Sequence, residues 1–129
     1  AEGEVNIYLA AKYSRMEEMR VYRDELTALG HTVTSSWLED DPAGCDESDP
    51  TNARLADCAN QNLEDILSAD MMILFTGGPQ SPGRNIEFGY AVGQSIPVRI
   101  VGPRESVFHH LGRVIGVHDD WADFLEVLR

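Results

Sequence analysis

Glu87 is the residue whose surroundings most invite chemistry. It stands in "GGPQSPGRNIEFGYA", residues 77–91, where the apolar run "MMILFT" feeds a loop of glycines, prolines and small polar residues that opens into a helix. A carboxylate there can be placed to do chemistry, or it can complement the helix dipole for about 0.3–1 kcal/mol. With the helix read over 84–94, Glu87 sits in its first turn, and both roles stay open. The loop has neither GxxxxGK[ST] nor GxGxxG, so it is not a Walker-type phosphate loop and not a dinucleotide fingerprint. Ser81 and Gly83 are the residues that can donate to a phosphate at the helix start.

Three other stretches hold candidate groups. "YLAAKYSR", Tyr8–Arg15, has small residues (Ala10, Ala11) that let a ligand approach the backbone, followed by the donors Lys12, Ser14 and Arg15 near a helix start. Asn62 is a polar amide on a face shared with Ala59, Leu63 and Ile66, and such an amide needs partners. "VFHHLG", 107–112, holds a histidine pair, but adjacent side chains diverge and no HExxH accompanies them, so no metal site is expected.

The elements that must position these groups alternate. Strand-like runs cover 5–10, 31–37, 71–76, 97–102 and 113–118. Helical spacing covers 16–29, closed by Gly30, then 51–68, 84–94 and 120–129, the last capped by Asp119 or Asp120. The acidic, proline-containing stretch 38–52 reads as a loop, with Trp37 before it as a candidate wall of a ligand pocket. This order predicts an α/β fold: a doubly wound, parallel, five-stranded sheet (Rossmann-like) in one domain over 1–129. Ligands then bind beyond the carboxyl ends of the strands, after Ala10, after Thr76 and after Val101.

Composition narrows the function classes. A net charge of −12 disfavours a nucleic-acid polymer as partner, and no apolar run is long enough to span a membrane. The amino-terminal residues lack the pattern of a signal peptide, and Cys45 and Cys58 have no metal-type spacing. The expectation is a cytoplasmic protein with free thiols and no cofactor.

Taken together, "IYLAAKYSR", "NLEDILSADMMILFT" and "SPGRNIEFGYAVGQSIPVRIVG" resemble, in order, the nucleoside 2-deoxyribosyltransferase superfamily. The resemblance is to its branch that hydrolyses the N-glycosidic bond of nucleoside 5′-monophosphates. The most specific element is G-x-x-x-E-x-G-x-A, here Gly83, Glu87, Gly89 and Ala91. The resemblance implies a flavodoxin-like fold, Glu87 as nucleophile, Tyr8 touching it, and a phosphate held by Ser81, Gly83, Ser14 and Arg15. It also implies a homodimer or higher oligomer with shared active sites, so that Phe108, His109 or His110 contacts the partner's substrate. Ser81 stands where transferases usually have Asp, which favours the nucleotide hydrolases. Asn62 stands where the family has an Asp that assists the base or sugar. Asp65 is the nearest other carboxylate, three residues on. The readings that follow are a nucleotide N-glycosidase, a deoxyribosyltransferase, or a nucleotide-binding chain weakened or trapped by Asn62.

Overall fold

The computed structural model describes residues 4–39, 45 and 48–129. Part of the acidic loop, 40–44 and 46–47, therefore lies outside the described residues. Five parallel strands form one sheet: β1 (Asn6–Ala10), β2 (Thr32–Val33), β3 (Met71–Phe75), β4 (Val98–Val101) and β5 (Val114–His118). They lie in the order β2-β1-β3-β4-β5. Four helices connect and close them: α1 (Met16–Ala28), α2 (Leu55–Leu67), α3 (Pro82–Gly93) and α4 (Trp121–Leu128). This is the doubly wound α/β arrangement that the alternation predicts.

The strands read as apolar runs because both faces are covered. Every residue of β3 is buried, as are Ile7 to Ala10 of β1. Side chains alternate across the sheet, and register partners share a face: Tyr8 with Met72, Ala10 with Leu74. On the opposite face Phe75 packs against Tyr22 of α1 and Trp121 of α4, whose rings stack 4.2 Å apart. The Trp121 indole N–H donates to Glu25 of α1 at 2.6 Å, so this aromatic cluster keeps its polar edge satisfied. Asp120 caps α4 by accepting from the Asp123 amide.

β2 is shorter than 31–37, and the reason lies in its side chains. The Thr34 amide makes the last backbone bond to β1, at the Ile7 carbonyl, and Ser35 Oγ then accepts from the Leu9 amide at 2.7 Å. The Trp37 indole donates to the Leu9 carbonyl at 3.0 Å. Side chains thus replace the backbone partners that a longer edge strand would supply. A short 3-10 turn, Ser36–Leu38, follows.

The free-thiol expectation is corrected. Cys45 and Cys58 form a disulfide with their Cα atoms 6.1 Å apart, and no free cysteine exists. The bond ties the acidic loop to α2, and it removes the ground on which a reducing, cytoplasmic setting was expected. No described helix is long and apolar enough to cross a membrane. Because the bridge closes a loop between residues 13 apart, its loss is expected to lower unfolding free energy by up to about 3 kcal/mol. Urea unfolding of the Cys45→Ser/Cys58→Ser protein against the parent measures it.

Candidate active site

The sheet order changes direction between β1 and β3, so the connections that leave these two strands diverge and open a crevice at their carboxyl ends. A cleft of about 650 Å³ occupies that place. Its floor and rim come from residues 11–14 after β1, from Trp37, from the outward side of α2, and from residues 80–87 after β3.

Glu87 lines this cleft, half-buried. Tyr8, fully buried on β1, donates its hydroxyl to Glu87 Oε2 at 3.1 Å. Burial, then the facing Glu87 carboxylate, pushes the Tyr8 phenol well above its ordinary value, so it stays a donor. Helix α3 starts at Pro82, two residues earlier than the spacing suggested, with Ser81 as its cap accepting from the Arg84 amide. Glu87 is therefore the sixth helical residue, beyond the first turn, where dipole compensation has faded. The helix-dipole role is correspondingly small for Glu87.

Ser81, Gly83, Ser14 and Ala11 all line the cleft, as does Trp37. Pro82 has no N–H, so Gly83 supplies the first backbone donor of α3, beside the Ser81 hydroxyl. Ala10 ends β1, wholly buried beneath the cleft. Arg15 departs from expectation. Its guanidinium grips Glu18 through two contacts of 2.8 Å, holding that carboxylate below its usual range, and lies over the Phe75 ring on the other face of the sheet. The i,i+3 glutamate captures it. Lys12 stands in the cleft instead.

Asn62 also lines the cleft, together with Leu55, Ala59 and Leu63. The apolar stripe of α2 thus divides. Ile66 enters the core, while the others form a cleft wall, which explains a polar amide among apolar neighbours. Asp65 points elsewhere. It accepts from the Ser36 amide at 3.0 Å, from the Ser36 hydroxyl, and from Gln61, and so pins the 3-10 turn that carries Trp37. It does not line the cleft.

Arg84, absent from the sequence-based site, organises the loops. Its guanidinium is wholly buried, donates to the Phe75 carbonyl at 2.9 Å and pairs with Glu105 at 2.9 Å. The other oxygen of Glu105 accepts from the Gly77 amide. The signal was a lone arginine in the first turn of an apolar helix. His109 is turned inward: its Nδ1 accepts from the Glu105 amide at 2.9 Å and its ring meets Phe88 edge-on. Phe108 and His110 are exposed and stand outside the cleft. Phe108, His109 and Leu111 line a second hollow of about 590 Å³ against α3. Among the described residues, no group of three or more His, Cys, Asp or Glu is placed to hold a metal.

No family model matches the chain. No curated protein matches it either. Solved structures do. One is a CMP N-glycosidase, BcmB, from Clostridium botulinum: 20% identity, TM-score 0.64, covering 95% of this chain and 97% of that one. Another is a 2-deoxyribosyltransferase from the psychrotolerant bacterium Bacillus psychrosaccharolyticus: 22% identity, TM-score 0.72, covering 92% of this chain and 89% of that one. The chain shares their fold over nearly its whole length.

The inward histidine makes a pH prediction. Burial, with Arg84, Arg104 and His110 against the opposing pull of Glu105, lowers its affinity for a proton. The unfolded chain then binds more protons below the ordinary histidine value of about 6.5, so stability present above it is lost as pH falls. His109→Gln, which keeps an acceptor, is expected to flatten the decline in melting temperature between pH 7 and 5.5.

Proposed function

We propose that the chain hydrolyses the N-glycosidic bond of a nucleoside 5′-monophosphate, using Glu87 as nucleophile. The observation that supports this most is the Tyr8–Glu87 hydrogen bond inside a cleft at the switch point, beside the amino end of α3. Further support comes from the two similar solved structures, by their descriptions a CMP N-glycosidase and a 2-deoxyribosyltransferase.

The mechanism follows from the parts. Phosphate rests on Ser81 and the Gly83 amide, with Lys12 and Ser14 opposite, so positive potential is local within an acidic protein. That anchoring sets C1′ of the sugar against Glu87. The carboxylate, oriented by Tyr8, bonds to C1′ as the base departs, through an oxocarbenium-like transition state. Water then cleaves the sugar ester and frees Glu87. Trp37 and Tyr13, with rings 6.1 Å apart, bound the cleft on the base side.

The transferase reading differs only in what takes the sugar. The Bacillus neighbour favours it, while Ser81 at the phosphate position favours water and a nucleotide. Adding a second free base separates the two, since a transferase forms the new nucleoside or nucleotide in preference to free sugar.

We also propose a homodimer formed through the exposed Val107, Phe108 and Ile86, of which Ile86 lines the cleft and Phe108 the second hollow. Phe108→Glu is expected to shift the sedimentation coefficient to that of a monomer.

The activity is checked by incubating the protein with ribo- and deoxyribonucleoside 5′-monophosphates and following free base by chromatography. Glu87→Gln is expected to lower kcat by on the order of 10⁴–10⁶. Tyr8→Phe removes one hydrogen bond to a charged group and is expected to cost about 10–150-fold in kcat. Full activity in the Glu87 variant contradicts the assignment.

A further inference from the structure

Resting on the glycosidase reading, we infer that the preferred substrate carries a base that is already cationic, a pyridinium N-glycoside 5′-phosphate of the nicotinamide mononucleotide type. The inference begins with the leaving group. When C1′–N breaks, the base keeps the electron pair. A neutral purine or pyrimidine then leaves as an anion unless an acid protonates it, and such an acid contributes about 10²–10⁴ in rate. A pyridinium leaves as a neutral molecule and needs no proton.

The cleft suits the second case. Glu87 is the one carboxylate among its described lining residues, and as nucleophile it must be ionised. Asn62 faces the cleft with an amide that cannot protonate a base. Asp65 is committed to Ser36 and Gln61. The Tyr8 phenol is buried and already donates to Glu87. Among the described lining residues Lys12 is the one cation not bound to a carboxylate, and in this reading it serves the phosphate.

Two positive features match a flat cation. Tyr13 and Trp37 present aromatic surface to the cleft, and π-faces attract cations. The Asn62 amide, which has no hydrogen-bond partner among the described residues, offers a donor and an acceptor side by side. A ring carboxamide presents the complementary pair.

The step balances. A Glu87 oxygen bonds to C1′ as the C1′–N bond breaks, and its electron pair passes to the ring nitrogen and discharges the pyridinium. Water then bonds to C1′, the ester pair returns to Glu87, and the water's proton goes to solvent. One cationic nucleotide and one water yield neutral base, sugar 5-phosphate and a proton.

The test compares nicotinamide mononucleotide with CMP, dCMP, AMP and dGMP on the wild-type protein, by base release. The expected result is a kcat/KM for nicotinamide mononucleotide at least about 100-fold above each neutral nucleotide, abolished by Glu87→Gln. Its pH profile should then show one acidic limb, with no alkaline limb from a general acid. Asn62→Asp is expected to raise cleavage of the neutral nucleotides relative to the pyridinium. Glu87-dependent cleavage of a neutral nucleotide as fast as, or faster than, nicotinamide mononucleotide overturns the inference and leaves the glycosidase reading standing. An acid supplied from elsewhere in the chain would appear in that way. Release of base from none of the five overturns both.

Discussion

The hydrogen bond from Tyr8 to Glu87 is the contact on which the site depends, because it joins the sheet to the helix that carries the carboxylate. It forms only if β1 and β3 pair in the observed register, Tyr8 beside Met72, and only if α3 packs on the face to which Tyr8 points. A one-residue slip of β1 would turn Tyr8 toward α1 and α4, away from Glu87. The buried strand cores that fix this register are therefore also what fixes Tyr8 against Glu87.

A second buried contact holds the loops around that centre. Arg84 and Glu105 join the end of β3, the start of α3 and the segment after β4, and Glu105 also receives the Gly77 amide. A buried ion pair is weak support for stability, since desolvation offsets much of the attraction. Its value here is geometric. One guanidinium nitrogen reaches the Phe75 carbonyl and another reaches Glu105, whose second oxygen takes the Gly77 amide, so three segments meet at one point beside the loop that ends in Ser81. Gly102 permits the close passage of this segment: with φ of +119°, a Cβ there would stand 2.5 Å from Thr76 Oγ1. Ser81, Gly83 and Glu87 are thus set at one helix whose entry is pinned from outside.

Much of this was legible in the residues. The runs that became β1, β3 and β4 are apolar because helices cover both faces, and that is a local signal. The strand–loop–helix around Glu87 placed it at a ligand-binding edge, and Tyr8 stands against it as the resemblance implied. What was not legible depended on side chains meeting across distance. β2 ended early because Ser35 and Trp37 reach back to Leu9. Arg15 turned to Glu18, and His109 turned inward to the Glu105 amide instead of outward. No spacing rule pairs Cys45 with Cys58; the fold brings them together at the cleft wall. The start of α3 was legible from Ser81-Pro82, yet the surrounding glycines and prolines read as loop, and the two-residue error kept the dipole role of Glu87 open.

The central claim is that Glu87 forms a bond to C1′. Rapid acid quench of the enzyme during turnover, followed by intact-mass measurement and peptide mapping, examines that bond directly. The account predicts a transient mass increase equal to one sugar phosphate less one water, on the peptide that contains Glu87 and absent in Glu87→Gln. Turnover with the adduct on another residue, or with no adduct at any quench time while substrate is saturating, would contradict it.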